Sequence, residues 1–541
     1  MVTLEINNVL TRIVGPLPED IQLLIREACS YSIQGAEFSV YGSRIYCPQC
    51  RKQTKEPTTE EMFGAGYPTD GMIYRKCFTH GWVIPISLWD GKNYLFNRTT
   101  MSFPTGIITR VVSVLKENNI PYTFKDLRMA PITHEMAWYG YDPRPYQNRA
   151  VQEVLKRSRG IIHAATGTGK TLIIGRLIAK TSINTLVLAH TKSVFNQIYN
   201  DLHKNLRIPI GRLGDGEVDV KRITVAMPLS LVETVDTYKR KLVKGVWKNV
   251  KTKVQQVKPK ARELLMNTEM LLVDEAHHIS ASTVQIIANS CPNAFYRVGV
   301  SATPWRDDLL DILIESQTGR TIYKYSATDA IRSGYLARPY IHMIKFKQNK
   351  QPKYITKQVL NKKTKVMETK TVQMEYADLY ERCVINNQLR NRLIEKIVRD
   401  RYAMGESVLV IVKRLQHGEN LHALLEDLDD HIRYVNGEDD PEFLQQTLND
   451  LDQKKIRVCI ATGIFSEGVD IRRLNTVINT TAMDSSVGAM QIVGRALRKV
   501  PGKDVVHIFD IADYGCRWLG AHADNRLKIY RTEPGYQIIE E

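Results

Sequence analysis

Short apolar runs alternate with amphipathic segments along most of the chain. Between residues 160 and 304, five runs have the length of a buried strand: GIIHAA, TLVLAH, ITVAM, MLLVDEAHH and YRVGVSATP. Strands that alternate with helices favour a parallel sheet covered on both faces. A second series, from SVLVIV at residue 407 to DVVHIFDIAD at residue 504, predicts a second parallel sheet. The pattern therefore predicts an α/β protein with two tandem sheet domains.

The pattern also predicts the boundaries of the domains. We expect a small α+β N-terminal domain at 1–130, the first sheet domain at 131–328, the second at 329–520 and a tail at 521–541. Two lysine-rich stretches interrupt the sheet domains. Residues 239–262 hold ten Lys or Arg and no acid, and residues 345–370 hold nine Lys and one Glu. The second stretch alternates around NKKT, which predicts a β-hairpin.

Charge indicates the class of partner. The 541 residues carry a formal net charge of +17, and the sequence pI is about 9.3. Such an excess favours a polyanion such as nucleic acid, because each neutralised phosphate releases counterions. Solubility alone, with the lysine runs as solvated faces, is the alternative.

Location is predicted from what the sequence lacks. The chain has no apolar run of about 18 residues that would span a membrane. Its start, MVTLEINNVL, does not have the layout of a signal peptide. We therefore expect a reducing compartment, the cytoplasm, which would be that of a bacterial host if a phage encodes the chain.

Four metal ligands form two short pairs in the N-terminal region. Cys47 and Cys50 lie in YCPQCRK, and Cys77 and His80 lie in RKCFTHGW. Two such pairs can supply the four ligands of tetrahedral Zn²⁺, so the spacing predicts a zinc ribbon at about residues 42–86. Because all four ligands come from protein, we expect the site to be structural. Coincidence among buried thiols is the alternative.

AATGTGKT follows an apolar run and precedes a helical segment, which is the setting of a phosphate-binding loop. Gly167, Thr168 and Gly169 would direct backbone N–H groups at phosphates, and Lys170 would reach the β- and γ-phosphates. The Thr171 hydroxyl would hold Mg²⁺. Ala164 stands where the strict pattern has its first Gly. The stretch predicts an ATP site.

Acidic residues end the strand MLLVDEAHH. Asp274 is placed to hold Mg²⁺ through water, and Glu275 to take a proton from the attacking water. Buried unpaired acids are costly, so a packing role alone is not expected.

Cationic residues in DSSVGAMQIVGRALRKV predict a clamp on the transferred phosphoryl group. Gln491, Arg495 and Arg498 would lie on one face of a helix. An amphipathic surface helix is the alternative. If the two sheets face each other, these side chains would close on ATP, and hydrolysis would open the cleft.

AATGTGKT, DEAH, SATP, ATGIFSEGVD and QIVGRALR occur in the order of the superfamily 2 helicase motifs, and together they cover roughly residues 140–515. The chain therefore resembles that superfamily, in particular its phage UvsW and XPB–RecG-like group. The resemblance implies two RecA-like domains and a nucleic-acid-dependent ATPase that uses ATP and Mg²⁺.

The resemblance also implies roles for individual residues. RPYQ is similar to an adenine-recognition element, in which Gln147 reads the base and Arg144 or Tyr141 stacks on it. Ser301 and Thr303 would couple hydrolysis to movement, and Gly468 and Asp470 would link nucleic acid to the ATP site. By the resemblance, Thr191, Thr224, Thr462 and Lys413 are expected to contact nucleic acid, and the lysine-rich stretch at 239–262 adds Lys248 and Lys251.

SLWDGKNYLFNRTTMSFPTGIITRV (87–111) and HADNRLKIYRTEPGY are similar to the N-terminal domain and the tail of that phage group. The zinc ribbon departs from the group, which implies no role for it. The resemblance implies unwinding or remodelling of branched DNA, by branch migration or fork regression with 3′→5′ polarity, by a monomer or a DNA-dependent oligomer. A double-strand translocase, an RNA helicase and a non-hydrolysing scaffold are the alternatives.

Overall fold

The protein is described from a computed structural model. The structure describes residues 1–32, 45–46, 49, 75–83, 86–87, 92–243, 246–277, 282–303, 311–349, 351–360, 367–462, 471–484, 488, 490, 493–494, 496–541. Two compact units are present. The N-terminal unit comprises Met1–Met129 with Asp308–Gly319, and the motor unit comprises Ala130–Asp307 with Arg320–Glu541.

A four-stranded sheet forms the centre of the N-terminal unit. Its order is Tyr122–Asp126, Val2–Ile6, Leu10–Val14, Ser102–Pro104. The first pair is parallel and the other two are antiparallel. Short two-stranded sheets pair Ser30–Ser32 with Lys92–Tyr94, Ile45–Tyr46 with Ile86–Ser87, and Arg75–Cys77 with Gly81–Val83.

Three helices cover this sheet: Glu19–Ala28, Ile108–Glu117 and Asp311–Thr318. The third helix comes from the chain that follows the SATP motif. Its Ile312 and Leu313 are buried with Phe103, Ile107 and Val111 in one apolar core. The predicted first sheet domain at 131–328 is thus interrupted by a helix that completes the core of the N-terminal unit.

The first sheet of the motor unit has eight strands. Their order is Glu217–Asp219, Gly211–Gly214, Ile223–Ala226, Thr185–Leu188, Met270–Asp274, Tyr296–Ser301, Arg159–Ala164, Thr321–Tyr325. All neighbours are parallel except the first pair. Its helices are Pro145–Arg157, Lys170–Thr181, Lys192–Leu206, Pro228–Leu231, Arg262–Asn267, Ser282–Asn289.

The central strands are mostly apolar because helices cover both faces of a parallel sheet. Every residue of Thr185–Leu188, Ile223–Ala226, Met270–Asp274 and Tyr296–Ser301 is buried. The carboxyl ends of these strands lie at one edge, where the motifs follow them.

The second sheet of the motor unit has seven parallel strands. Their order is Ile432–Val435, Val458–Ala461, Val408–Ile411, Thr476–Asn479, Val505–Tyr514, Arg338–Lys347, Gln537–Glu540. The α-helices of this part are Ala327–Arg332, Tyr376–Tyr380, Gln388–Ala403, Leu415–Leu424, Pro441–Asp452, Arg517–Tyr530. Glu381–Ile385 is a π-helix.

Both lysine-rich stretches form part of β-hairpins. The first hairpin pairs Val232–Val243 with Val246–Val257 and therefore begins before the predicted insertion at residue 239. The second pairs Tyr354–Leu360 with Met367–Gln373 around NKKT.

The prediction of two tandem RecA-like parallel-sheet domains with an α+β N-terminal domain is confirmed. The predicted zinc ribbon lies mostly outside the described residues. None of the helices that the structure describes is long and apolar enough to cross a membrane.

Candidate active site

The phosphate loop joins strand Arg159–Ala164 to helix Lys170–Thr181. Gly167 and Gly169 have φ angles of +81° and +82°, a left-handed conformation that favours glycine. A Cβ atom at Gly169 would also lie 2.7 Å from Gln147 Nε2. Both glycines of the motif are therefore required by backbone geometry. Ala164, the departure from the strict pattern, is a buried strand residue before the loop.

Lys170 and the predicted general base are brought together. Lys170 Nζ lies 2.8 Å from Glu275 Oε1. The other carboxylate oxygen accepts a hydrogen bond from Ser301 Oγ at 3.1 Å. His277, which the sequence reasoning did not assign, has its Nδ1 3.4 Å from Ser301 Oγ and 3.7 Å from Glu275 Oε2. The DEAH and SATP motifs thus form one polar cluster facing the phosphate loop.

The electrostatics keep Glu275 ionised. Burial acts to raise the pKa of its carboxyl, but attraction to Lys170, with contributions from His277 and Ser301, outweighs burial and holds the pKa below its ordinary value. Glu275 also has a φ of +48°, an uncommon conformation for a non-glycine residue and one that concentrates at functional sites. The arrangement suits a carboxylate that accepts a proton.

The predicted Mg²⁺ ligands, Thr171 and Asp274, are the sequence neighbours of Lys170 and Glu275, whose side chains are in contact. Asp274 is the last residue of strand Met270–Asp274 and is 8% exposed. Thr171 is the second residue of the phosphate-loop helix. A carboxylate and a hydroxyl are oxygen ligands of the kind that Mg²⁺ prefers.

The RPYQ element contacts the phosphate loop directly. Gln147 is 3% exposed, and its Nε2 donates to Thr168 O at 2.8 Å while its Oε1 accepts from Arg144 N at 2.8 Å. The Arg144 guanidinium lies 4.3 Å from the centre of the Tyr335 ring. Tyr141 is 82% exposed. The structure therefore ties Gln147 to the loop and leaves Tyr141 at the surface.

The segment carrying Arg498 touches the same loop from the second sheet domain. A Cβ at Gly494 would overlap the side chain of Thr166, so only glycine fits there. A Cβ at Gly167 would lie 3.4 Å from Arg498 Cγ and 3.2 Å from Leu336 Cδ2. The structure thus brings Arg498 beside the phosphate loop.

Arg498 is not on the helix that we predicted. Ala496 is helical, but Arg498 lies beyond the helix and forms a β-bridge with Leu336. The prediction that Arg498 shares a helix face with Gln491 and Arg495 is therefore wrong. Pro501 and Gly502 (φ +82°) turn the chain shortly afterwards.

Several predicted residues lie outside the described part of the chain. These are Gln491, Arg495, Gly468, Asp470, Cys47 and Cys50. Lys248 lies in a described strand whose side chains are not described there.

Three of the residues expected to contact nucleic acid follow the carboxyl ends of strands. Thr191 precedes helix Lys192–Leu206 and accepts from Val194 N. Lys413 is exposed just beyond strand Val408–Ile411, and Thr462 follows Val458–Ala461 and is 8% exposed. Thr224 differs, because it is fully buried and its hydroxyl donates to Lys221 O at 2.7 Å. Its position in the core contradicts the predicted phosphate contact.

Lys251 is on the first hairpin and is 59% exposed, and its Nζ lies 2.8 Å from Asp236 Oδ2. Tyr238 pairs directly with Lys251 and is 69% exposed. An aromatic ring and a cation therefore share one exposed face of the hairpin.

Cys77 and His80 lie at the turn of a small hairpin. Cys77 Sγ is 3.7 Å from His80 Nδ1, and Cys77 is 2% exposed. Over the part of the chain that the structure describes, no group of three or more His, Cys, Asp or Glu side chains is arranged to hold a metal ion.

Two family profiles match the parts of the chain that build this site. Residues 140–306 match the family "Type III restriction enzyme, res subunit", and residues 389–500 match "Helicase conserved C-terminal domain". These segments carry the phosphate loop, Glu275 and Arg498. The chain belongs to the superfamily 2 helicases.

Relatives of this helicase include proteins of viruses and archaea. The DNA 3'-5' translocase XPB2 of Sulfurisphaera tokodaii is 24% identical over 66% of this chain and 78% of its own length. The ATP-dependent DNA helicase uvsW of Enterobacteria phage T4 is 25% identical, over 69% of this chain and 68% of its own. Putative helicase 22 of a Sulfolobus islandicus filamentous virus is 26% identical, and the match spans 69% of this chain and 64% of that protein.

A solved structure shows the same fold. The fragment of a putative HsdR subunit of a type I restriction enzyme from Vibrio vulnificus YJ016 superposes with a TM-score of 0.50 and 20% identity, over 74% of this chain and 68% of that one. At this identity the likeness shows the fold alone.

As a superfamily 2 helicase, the chain is a nucleic-acid-stimulated ATPase. Its motifs were visible in the sequence because their residues are close together in the chain. Tyr146, whose hydroxyl donates to Thr168 O at 2.5 Å, and His277 were missed as site residues because their contacts depend on distant segments. Their neighbours Gln147 and Glu275, both assigned, were the available signal.

Proposed function

We propose that this helicase is an ATP-dependent DNA helicase or translocase that unwinds or remodels branched DNA, by branch migration or fork regression with 3′→5′ polarity. The observation that carries the proposal is the pair Lys170–Glu275, which faces the phosphate loop while Arg498 of the second sheet domain lies beside that loop. Two relatives with DNA in their printed names support the choice of substrate.

In this proposal Glu275 is the base for the attacking water, and Lys170 binds the β- and γ-phosphates. Arg498 would stabilise the charge of the transferred group, and Arg495 and Gln491 are proposed to contribute to the same role. Arg498 meets the loop from the second domain, so closure of the two domains would complete the site. Hydrolysis would weaken that contact and open the cleft.

Thr171 and Asp274 would hold Mg²⁺, and their donor atoms and adjoining positions fit it. When bound, the ion neutralises charge on the phosphates. Gln147 is proposed to read the adenine base. Its hydrogen bonds with Arg144 N and Thr168 O hold its amide in position.

DNA is proposed to run along the carboxyl edges of the two sheets, where Thr191, Thr462 and Lys413 lie. Gly468 and Asp470 would link that path to the ATP site. The first hairpin would add Lys248 and Lys251 as phosphate contacts, with Tyr238 available to stack on a base. Lysine contacts add affinity and salt dependence without sequence preference.

The choice of branched substrates is proposed to lie in the N-terminal unit. Zn²⁺ held by Cys47, Cys50, Cys77 and His80 would stabilise its central segment. Helix Asp311–Thr318 belongs to the core of this unit but follows the SATP motif of the ATP site. Deleting residues 1–130 would expose Ile312 and Leu313, so truncation is a poor test and point variants are preferable.

A strand-displacement assay of the full chain tests the proposal. The substrates are a DNA fork, a four-way junction, a blunt duplex and an RNA fork, each with ATP and Mg²⁺. We expect ATP-dependent separation of the fork and the junction, faster than of the blunt duplex. Lys170→Ala, with an intact DNA-binding surface, is the matched control and should bind the fork without separating it.

Two outcomes would replace the proposal. Faster separation of RNA would favour an RNA helicase, the name printed for a relative from Acanthamoeba polyphaga mimivirus that is 23% identical. ATP-driven displacement of a third strand from duplex DNA, without separation of the fork, would favour a double-strand translocase.

A further inference from the structure

Tyr146 joins the phosphate loop to the segment between the two sheet domains. It is the second residue of helix Pro145–Arg157 and is 1% exposed. Its hydroxyl donates to Thr168 O at 2.5 Å, and Gln147 Nε2 donates to the same carbonyl. Two side-chain donors from one helix therefore converge on one backbone atom of the loop.

Thr168 is the point at which such contacts have most effect. It lies between Gly167 and Gly169, the residues with the greatest backbone freedom in the loop. Its own hydroxyl donates to Ala165 O at 2.6 Å. Fixing the Thr168 carbonyl therefore restricts the peptide groups on either side, whose N–H groups would meet the phosphates.

The ring of Tyr146 packs against two further tyrosine rings. It stacks on Tyr325 with the ring centres 3.9 Å apart and the planes 7° from parallel, and the centre of Tyr335 is 5.5 Å away. Tyr325 ends the last strand of the first sheet domain, and its carbonyl accepts from Ala165 N at 3.1 Å. The stack thus lies where the chain leaves the first sheet domain.

Residues 326–337, which we name the connector, lead from Tyr325 to the second sheet domain. Leu336 of the connector forms the β-bridge with Arg498, and Ala337 N donates to Leu497 O at 2.7 Å. Tyr146, Tyr325 and Leu336 belong to one buried cluster. A continuous set of contacts therefore runs from the loop through Tyr146 to the segment that carries Arg498.

We infer that Tyr146 is a positioning residue, which sets the shape of the phosphate loop through Thr168 and couples that shape to the connector through its stack on Tyr325. This inference rests on the proposed ATP site. Tyr146 is not assigned any contact with ATP.

Steady-state ATP hydrolysis by Tyr146→Phe tests the hydroxyl. The variant keeps the ring and its packing but removes the hydrogen bond to Thr168, so we expect the KM for ATP to rise about 5- to 10-fold, as the removal of one hydrogen bond would produce. The kcat at saturating ATP and the Tm should stay close to those of the unmodified protein. Tyr296 is a buried tyrosine at the start of strand Tyr296–Ser301, at the end away from Ser301 and the ATP site. Tyr296→Phe removes its hydroxyl and should leave KM unchanged.

The coupling is tested by a double-mutant cycle. If Tyr146 and Tyr325 act through one path, Tyr146→Phe with Tyr325→Leu should raise KM by clearly less than the product of the single effects. Multiplicative effects would overturn the coupling, and an unchanged KM in Tyr146→Phe would overturn the positioning role. Failure of the unmodified protein to hydrolyse ATP would instead overturn the proposed ATP site.

Discussion

Lys170 Nζ and Glu275 Oε1 lie 2.8 Å apart, so the cation of the phosphate loop and the proposed base neutralise one another in a partly buried site. The pair fixes the carboxylate in its ionised form and aims it at the loop. Each partner is therefore expected to be required for the chemistry, and each for a different reason.

Glu275→Gln is expected to lower the kcat of nucleic-acid-stimulated ATP hydrolysis by about 10²- to 10⁴-fold, because the amide cannot accept the proton from water. ATP affinity, measured with a fluorescent analogue, should be kept. Phosphate release measures the rate. Glu263→Gln changes an exposed carboxylate of helix Arg262–Asn267 and is the matched control. Turnover near that of the unmodified protein would show that Glu275 is not the base.

Ser301→Ala is expected to shift the pH profile. Ser301 Oγ donates to the ionised Glu275 carboxylate, and this bond helps to lower the pKa of that carboxyl. Removing the bond raises the pKa. The base acts above its pKa, so activity is lost as the pH falls through it, and the acidic limb of kcat/KM should move to higher pH. Ser290→Ala, which removes a hydroxyl bonded to Ile286 O, should leave the limb in place.

The central strands and the phosphate loop could be predicted because the evidence for them is local. In runs such as Met270–Asp274 all residues but the final acid are apolar, as expected of a strand buried on both faces. Thr321–Tyr325 and Gln537–Glu540 were missed, since they lie at sheet edges and carry polar, partly exposed residues. Edge strands give a weak apolar signal.

In the candidate site, too, the residues that could be predicted are those with local evidence in the sequence. Lys170 and Glu275 stand in compact motifs, and their roles follow from the residues around them. The contact between Tyr146 and Thr168 spans 22 residues, and the stack on Tyr325 joins segments still further apart. Helix Asp311–Thr318 shows the same limit, because nothing in its local pattern assigns it to the core of the N-terminal unit.

Neutralising the first hairpin is expected to reduce the salt dependence of DNA binding. In Lys248→Gln/Lys251→Gln/Lys253→Gln, the slope of log affinity against log salt should fall by about 0.9 for each phosphate that the hairpin no longer neutralises. Fluorescence anisotropy on a fork at several salt concentrations measures the slope. The control Lys156→Gln/Lys396→Gln removes exposed charges from two helices. A slope equal to that of the unmodified protein would make the hairpin lysines a solvated face.

Zinc analysis of the purified protein is expected to find one ion per chain. Two ligands of a tetrahedral zinc, at about 2.3 Å for sulfur and 2.0–2.1 Å for nitrogen, lie about 3.6 Å apart. The distance between Cys77 Sγ and His80 Nδ1 is 3.7 Å, so this pair is spaced as two ligands of one ion.

Cys77→Ser and His80→Ala should each abolish metal binding and lower the unfolding temperature of the N-terminal unit, while ATP hydrolysis without nucleic acid persists. Cys29→Ala is the control, because burial raises the pKa of the Cys29 thiol to about 12 and keeps it protonated, which makes it a poor ligand. Purified protein without zinc, or full zinc content in Cys77→Ser, would show that the four residues do not form a zinc site.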